Sequence, residues 1–194
     1  ITSDDVKFQD NNLWIIDERL VFHHYLASDK TFKSMKVTDC DSNRRPDILI
    51  DNVFDNPLLV SEKDSPPFAT LRIVEFKRPM RDNIEPDDST KNPIDQCITY
   101  VEKIRKGKIT TKNGRPINVS EEIPAYCYVI CDLTSSMQSV CRIHDFKKTY
   151  DSLGYFGYKS ELKIYFEIIS FDQLLNSAKE RNAAFFDKIG MAHD

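Results

Sequence analysis

The chain of 194 residues predicts an α/β protein, a mixed β-sheet flanked by helices, as a single domain over residues 1–194. Three observations predict it. Short β-branched and aromatic runs alternate with amphipathic helical stretches, an order that builds a sheet covered by helices. A hydrophobic content of 40%, with twelve Phe, eight Tyr and one Trp, suffices for one large core, and 30% charged residues with five Gly and nine Pro exclude a disordered or collagen-like chain. No apolar run approaches the roughly 20 residues that a membrane-spanning helix needs.

Residues 12–27 read as a helix: Asn11 or Asn12 supplies a cap, and Leu13, Ile16, Leu20 and His24 fall on one stripe. Residues 28–43 are polar and read as a loop. A strand at 46–54 alternates Ile48 and Ile50 against Asp47, Leu49 and Asp51. The run 68–79 is the clearest strand, and Pro79 ends it. Residues 92–107 have Pro93 in the first turn, apolar Ile94, Cys97, Ile98, Val101 and Ile104, and Gly107 as the stop, the marks of a helix. A buried strand at 125–133, a short helix at 135–143, a strand at 162–171 and a closing amphipathic helix at 172–188 complete the order.

The net charge of −4 argues against a protein that coats nucleic acid through a broad basic surface. It leaves room for a local basic patch: Lys103, Arg105, Lys106, Lys108, Lys112 and Arg115 follow one another without an intervening acid. Phosphate contact and a solvated loop are the two readings of that segment. Five cysteines at irregular spacing suit reduced thiols inside a cell, hence a cytoplasmic location, and Cys127 and Cys131 read as small buried apolar residues rather than zinc ligands. His23 and His24 are adjacent on a helix and point about 100° apart, too far to grip one ion together.

The chemistry is carried by charges on apolar strands, since an unpaired buried charge is costly. Period-two alternation puts Leu71, Ile73, Glu75 and Lys77 on one face of the strand 68–79. Asp47 opens the preceding strand. If the two strands pair, the Asp47 and Glu75 carboxylates converge beside the Lys77 ammonium, a set of donors suited to a hard divalent cation. A surface Glu75–Lys77 ion pair with an unrelated Asp47 is the plain alternative.

The segments RPDILI (45–50) and IVEFKRP (73–79), followed by a helix bearing Gln96, resemble the PD-(D/E)xK nuclease superfamily, the restriction-endonuclease-like fold, over roughly residues 12–133. The resemblance implies a Mg²⁺- or Mn²⁺-dependent nuclease acting on DNA. Asp47 and Glu75 would be metal ligands, with the Phe76 carbonyl a possible third. Lys77 would position water and stabilise charge, and Glu18, with Asp17 as the other option, and Gln96 would complete the catalytic set. Tyr100 stands at a closer spacing from Gln96 than in the RecB-like branch. Arg78, Arg81, Lys103, Lys106, Lys108 and Lys112 are the candidate phosphate contacts. The stretches NLWIIDERLVFHHYLASDK, VEFKRP, GRP, YVICDLT and LGYFGY further resemble the C-terminal region of large bacterial proteins with an N-terminal ATPase of the GHKL class, linked with restriction and phage-defence loci. That implies an excised effector fragment whose partners are DNA, the remaining ATPase chain and a possible second copy. The alternatives are an inactive module of the same fold that binds nucleic acid or protein, and a structural or dimerisation domain.

Overall fold

The computed structural model describes residues 15–16, 25–35, 38–39, 41–54, 68–86, 88, 90–106, 108–110, 116–117 and 123–189. Among them the elements run β1 (Tyr25–Ser28), β2 (Thr38–Asp39), β3 (Ile48–Phe54), β4 (Phe68–Phe76), α1 (Pro93–Lys106), β5 (Lys108–Thr110), β6 (Pro116–Ile117), β7 (Ala125–Ile130), α2 (Ser135–Ile143), β8 (Lys147–Lys148), β9 (Gly154–Lys159), β10 (Ile164–Ile169) and α3 (Phe171–Ile189). Seven strands form one mixed sheet in the order β1-β3-β4-β7-β10-β9-β8, and β2, β5 and β6 form a small second sheet. The pairs β4–β7 and β7–β10 are parallel, while β1–β3, β3–β4, β9–β10 and β8–β9 are antiparallel. The α/β class with a mixed sheet between helices is therefore as expected.

Alternation on the central strands divides the core in two. Leu49, Leu71, Ile73, Cys127, Val129, Phe166 and Ile168 pack against Ile94, Cys97, Val101 and Ile104 of α1 and Met137, Val140 and Cys141 of α2. The opposite face carries Ile50, Val74, Tyr128, Ile130 and Ile169, against which Phe171 and Leu174 of α3 pack. Ile73 and Val74 are both fully buried, one on each face, so the centre of β4 is covered from both sides. Full burial of each such side chain contributes about 1.5–3 kcal/mol of transfer free energy.

Two expectations need correction. The helix expected over 12–27 does not reach its end, because Tyr25–Ser28 form an edge strand in antiparallel register with β3, with Tyr25 opposite Asp51 and Ser28 opposite Ile48. The local 3.6-residue pattern gives way there to ladder bonds; residues 12–14 and 17–24 lie outside the described residues. The stretch 28–43 is not a simple polar loop. Phe32 and Met35 are buried in the main core, and the Phe32 ring meets Tyr100 of α1 edge-on at 5.6 Å between centroids. Strand β9 and its partner β8 extend the sheet beyond the elements expected.

Among the described residues no helix is long and apolar enough to cross a membrane.

Candidate active site

The register of β3 on β4 ends with Ile48 opposite Val74, and one step further sets Asp47 opposite Glu75. Directly opposed residues in an antiparallel pair present their side chains on the same face, with Cα atoms about 4.5–5.5 Å apart. Asp47 thus shares the α1 face with Leu49, and Glu75 shares it with Leu71 and Ile73. Asp47 Oδ2 accepts the Phe76 backbone N–H at 2.6 Å, which ties the carboxylate to the end of β4. The Lys77 backbone N–H donates to the Ile130 carbonyl at 2.9 Å, so the strand direction persists through Lys77 and its side chain returns to the same face.

The Lys77 ammonium is the hub. Its Nζ lies 2.8 Å from Glu75 Oε1 and 2.6 Å from Gln96 Oε1. Gln96 is in the first turns of α1 and is oriented by its own amide, which donates to the Thr90 carbonyl. Asn92 starts that helix by accepting the Ile94 N–H on its side-chain oxygen at 3.0 Å. Tyr100, one turn beyond Gln96, donates to the Arg45 carbonyl at 3.2 Å and so braces the segment that leads into Asp47. The structure thus brings together Asp47, Glu75, Lys77 and Gln96. Glu18 lies outside the described residues, as does its alternative Asp17.

Both charges of the pair are withdrawn from water, with Glu75 6% and Lys77 7% exposed. Burial pushes the Glu75 pKa above the ordinary carboxylate range; the Lys77 charge and hydrogen bond oppose this, and the Asp47 charge adds to it. Tyr100 is pushed up as well, by burial first and then by the Glu75 charge. Glu75 Oε2 is buried without a hydrogen-bond partner. A buried carboxylate oxygen left in that state is costly, and a cation is the partner that would relieve it. Among the described residues no group of three or more His, Cys, Asp and Glu side chains could hold a metal ion. Asp47 and Glu75 make a two-carboxylate set, which fits a magnesium ion that keeps several waters and substrate oxygens in its remaining positions. Phe76, whose carbonyl is the third candidate ligand, lies between Glu75 and Lys77 at the end of β4 with its side chain partly exposed on the other side.

Among the described residues, the candidate phosphate contacts lie in separate places. Arg78, directly after Lys77, is exposed, and Arg81, four residues beyond Lys77, is half-buried. Lys103 donates to Ser42 Oγ at 3.1 Å. Arg105 is buried, and its guanidinium bonds the carbonyls of Leu162 at 2.6 Å and Ile123 at 2.5 Å. Those carbonyls precede β10 and β7, at the end of the sheet opposite to Glu75. Lys106 is exposed but ten residues along α1 from Gln96, about 15 Å at 1.5 Å per residue. The Lys108 backbone belongs to β5, its side chain lies outside the described residues, and Lys112 lies outside them altogether. Among the described cations of that run, Arg105 is therefore a buried structural residue and not a free surface charge.

Three features had no clear signal in the sequence. Asp29 has a left-handed φ of 54° beside the site, donates its N–H to the Asp47 carbonyl at 3.0 Å and pairs with Arg45 Nε at 3.2 Å. Asp132 accepts the Met80 N–H at 2.6 Å from across the β7–α2 junction. His144 Nε2 stands 3.6 Å from Asp95 Oδ1, although the sequence suggests no partner for it. Burial raises the Cys131 and Cys141 thiols to about 12, which disfavours their reactive thiolate form.

Comparison of the chain with protein-family models, with curated proteins and with solved structures finds no match.

Proposed function

We propose that this domain is a divalent-metal-dependent nuclease of PD-(D/E)xK type, hydrolysing phosphodiester bonds in DNA. One observation carries the reading: Glu75, whose buried Oε2 has no hydrogen-bond partner, stands opposite Asp47 across two paired strands, with the Lys77 ammonium held at hydrogen-bond distance between Glu75 and Gln96. Bound at Asp47 and Glu75, with the Phe76 carbonyl as a further oxygen, Mg²⁺ or Mn²⁺ would supply Lewis-acid stabilisation of the phosphate and a more acidic water. The chain's own groups supply the rest. Lys77 offers a fixed positive charge to the phosphoryl oxygens as negative charge develops on them, and Gln96 holds that ammonium in place. Asp47, locked onto the Phe76 N–H, keeps its geometry without reorganisation. Arg78 and Arg81, at the same end of the sheet, suit the substrate backbone. Service as the cytoplasmic effector region of a larger ATPase-bearing bacterial defence protein, alone or as a homodimer, is the context this reading favours.

A second reading has its own observation. Through Glu75 Oε1, Glu75 also joins Lys77 and Gln96 in a hydrogen-bonded network, which a non-catalytic module of the same fold would keep for structure alone. Incubation of the wild-type chain with supercoiled plasmid in Mg²⁺, Mn²⁺ or EDTA separates the two. The nuclease reading expects nicking or linearisation only with metal, and its loss in Asp47→Ala and Glu75→Gln. Calorimetry should find a weak Mn²⁺ site that Asp47→Ala removes. Absence of cleavage and of Mn²⁺ binding by a folded wild-type chain would leave the structural network as the better account.

A further inference from the structure

The turn after Lys77 breaks a conformational rule without any gain in packing. The Arg81 N–H donates to the Arg78 carbonyl at 3.3 Å, closing a four-residue turn with Pro79 and Met80 at its centre. Met80 has a φ of 56°. Since proline fixes a negative φ before it, this is a type II turn, whose third position ordinarily takes Gly or Asn. A side chain with a Cβ meets a steric penalty there. Met80 is also 78% exposed, so contacts with the core do not offset that penalty.

The turn is nevertheless firmly held. Met80 N–H bonds Asp132 Oδ2 at 2.6 Å, and Thr134 Oγ1 donates to the Arg81 carbonyl at 3.0 Å. Asp82 caps α2, accepting the Ser136 N–H at 2.8 Å and the Ser135 hydroxyl at 3.1 Å. Buried Ile84 anchors the far side, and its N–H donates to Ser136 Oγ at 3.3 Å. An exposed apolar side chain on a strained, firmly held turn three residues beyond Lys77 is the kind of place where local rules yield to function.

We infer that Met80 is a wedge that this turn holds against a base step of duplex DNA, with Arg78 beside it on the phosphate backbone. The inference rests on the nuclease reading and names a substrate contact of that same site. The partner chemistry follows from the groups present. Aromatic base faces accept a polarizable thioether well, and apolar side chains inserted at base steps unstack them. A turn already fixed by bonds to the β7–α2 junction and to α2 loses little freedom on binding. Three residues of chain reach at most about 10 Å from Lys77, which is about three base steps at ~3.4 Å. The disturbed step therefore lies beside the phosphate to be cut.

The test uses duplex DNA carrying 2-aminopurine, whose fluorescence rises on unstacking, together with anisotropy of an end-labelled copy. The protein is the full chain, as Glu75→Gln and as wild type in EDTA. Both should bind and raise 2-aminopurine fluorescence several-fold. Adding Met80→Gly should abolish the rise and weaken binding about three- to tenfold, while the thermal midpoint stays level or climbs because glycine relieves the left-handed strain. Met80→Leu should keep the fluorescence rise. Binding with an undiminished rise in Met80→Gly overturns the wedge and leaves the nuclease reading intact. A sharp fall in thermal midpoint for Met80→Gly also overturns it, by making Met80 a packing residue. Failure of folded wild type to bind duplex DNA overturns the nuclease reading and the wedge together.

Discussion

Lys77→Met removes the charge at the centre of the site while filling nearly the same volume, and its effect on stability has a characteristic dependence on pH. Lys77 Nζ lies 2.8 Å from Glu75 Oε1, with both side chains under 10% exposed, at 7% and 8%. Burial already raises the Glu75 pKa, and Lys77 is the chief influence holding it down. Without Lys77 the carboxyl remains buried, faces Asp47 and takes up a proton. The unfolded chain meanwhile ionises Glu75 at the ordinary value near 4.3. The folded variant then binds one proton more than the unfolded chain, so stability is fully present below about pH 4.3 and falls as pH rises toward the raised folded pKa, by about 1.4 kcal/mol per pH unit. The ceiling on this loss is about 1 kcal/mol at pH 5 and about 3.7 kcal/mol at pH 7. Wild type shares part of the slope, because its own Glu75 is raised in the same direction, so the measured difference falls below the ceiling but widens with pH. Loss of the donor to Gln96 Oε1 adds a constant offset that pH does not change.

The assay is urea denaturation of both chains at pH 5, 6 and 7, followed by circular dichroism. A domain of ordinary stability, about 5–15 kcal/mol, keeps the variant folded at pH 5, where its activity can be examined without confusion from unfolding. A difference that is the same at pH 5 and pH 7 would refute the reasoning, since it would mean that Glu75 is not buried against that ammonium.

Three other outcomes test the framework around the site. Arg105→Ala should lower stability by about 3 kcal/mol, seen as a fall in Tm of roughly 6–12 °C, because it orphans the Leu162 and Ile123 carbonyls. Arg105→Lys should recover only a small part, since one ammonium cannot reproduce the guanidinium fork. Gly157→Ala should cost about 1–3 kcal/mol in denaturation, because the added Cβ meets the Phe146 ring. Lys106→Gln should leave the salt dependence of DNA binding unchanged, whereas Arg78→Gln should reduce the slope of log affinity against log salt by roughly one.

Strands and helices with strong local patterns were legible in the sequence, and the exceptions share a cause. The short helix at 135–143 stands where its apolar spacing sets it, and the helix from Pro93 ends one residue before Gly107. Tyr25 to Ser28 fit a helical stripe equally well, but the unpaired edge of β3 offers them a ladder, and tertiary pairing overrides a weak local preference. Phe32 and Met35 sit among Asp, Ser and Lys, so no window average marks them as core, yet both are buried in the main core, Phe32 with its ring edge-on to Tyr100. In β9, Gly154 and Gly157 dilute the strand pattern, yet each lies where a side chain would strike a neighbour, Gln173 in one case and Phe146 in the other. The residues that weaken the signal are required by the packing.

The site was legible for a different reason. A period of two is nearly rigid, so once 46–54 and 68–79 are strands, the parity of Asp47 with Leu49 and of Glu75 and Lys77 with Ile73 follows from counting. Gln96 follows in the same way, because Ile94, Cys97 and Val101 turn one stripe of α1 to the sheet and leave Gln96 beside it near the end that adjoins Lys77. The basic segment had no such constraint. Its charges straddle the C-terminus of a helix whose N-terminus holds the site, and the distance between those ends depends on helix length, not on charge spacing. Arg105 shows the consequence most plainly: in sequence it is one cation among six, and in the fold its guanidinium bonds carbonyls at the start of β7 and β10. On the proposed nuclease reading, the substrate path past Lys77 runs along the end of the sheet, over Arg78, Met80 and Arg45, and away from the end of α1. Arg45 strengthens that route. It is exposed, pairs only with exposed Asp29 among the described ion pairs, and belongs to the segment that Tyr100 braces against Asp47. An exposed pair of this kind contributes at most about 1 kcal/mol, so exchanging the Asp29 carboxylate for a phosphate costs the fold little.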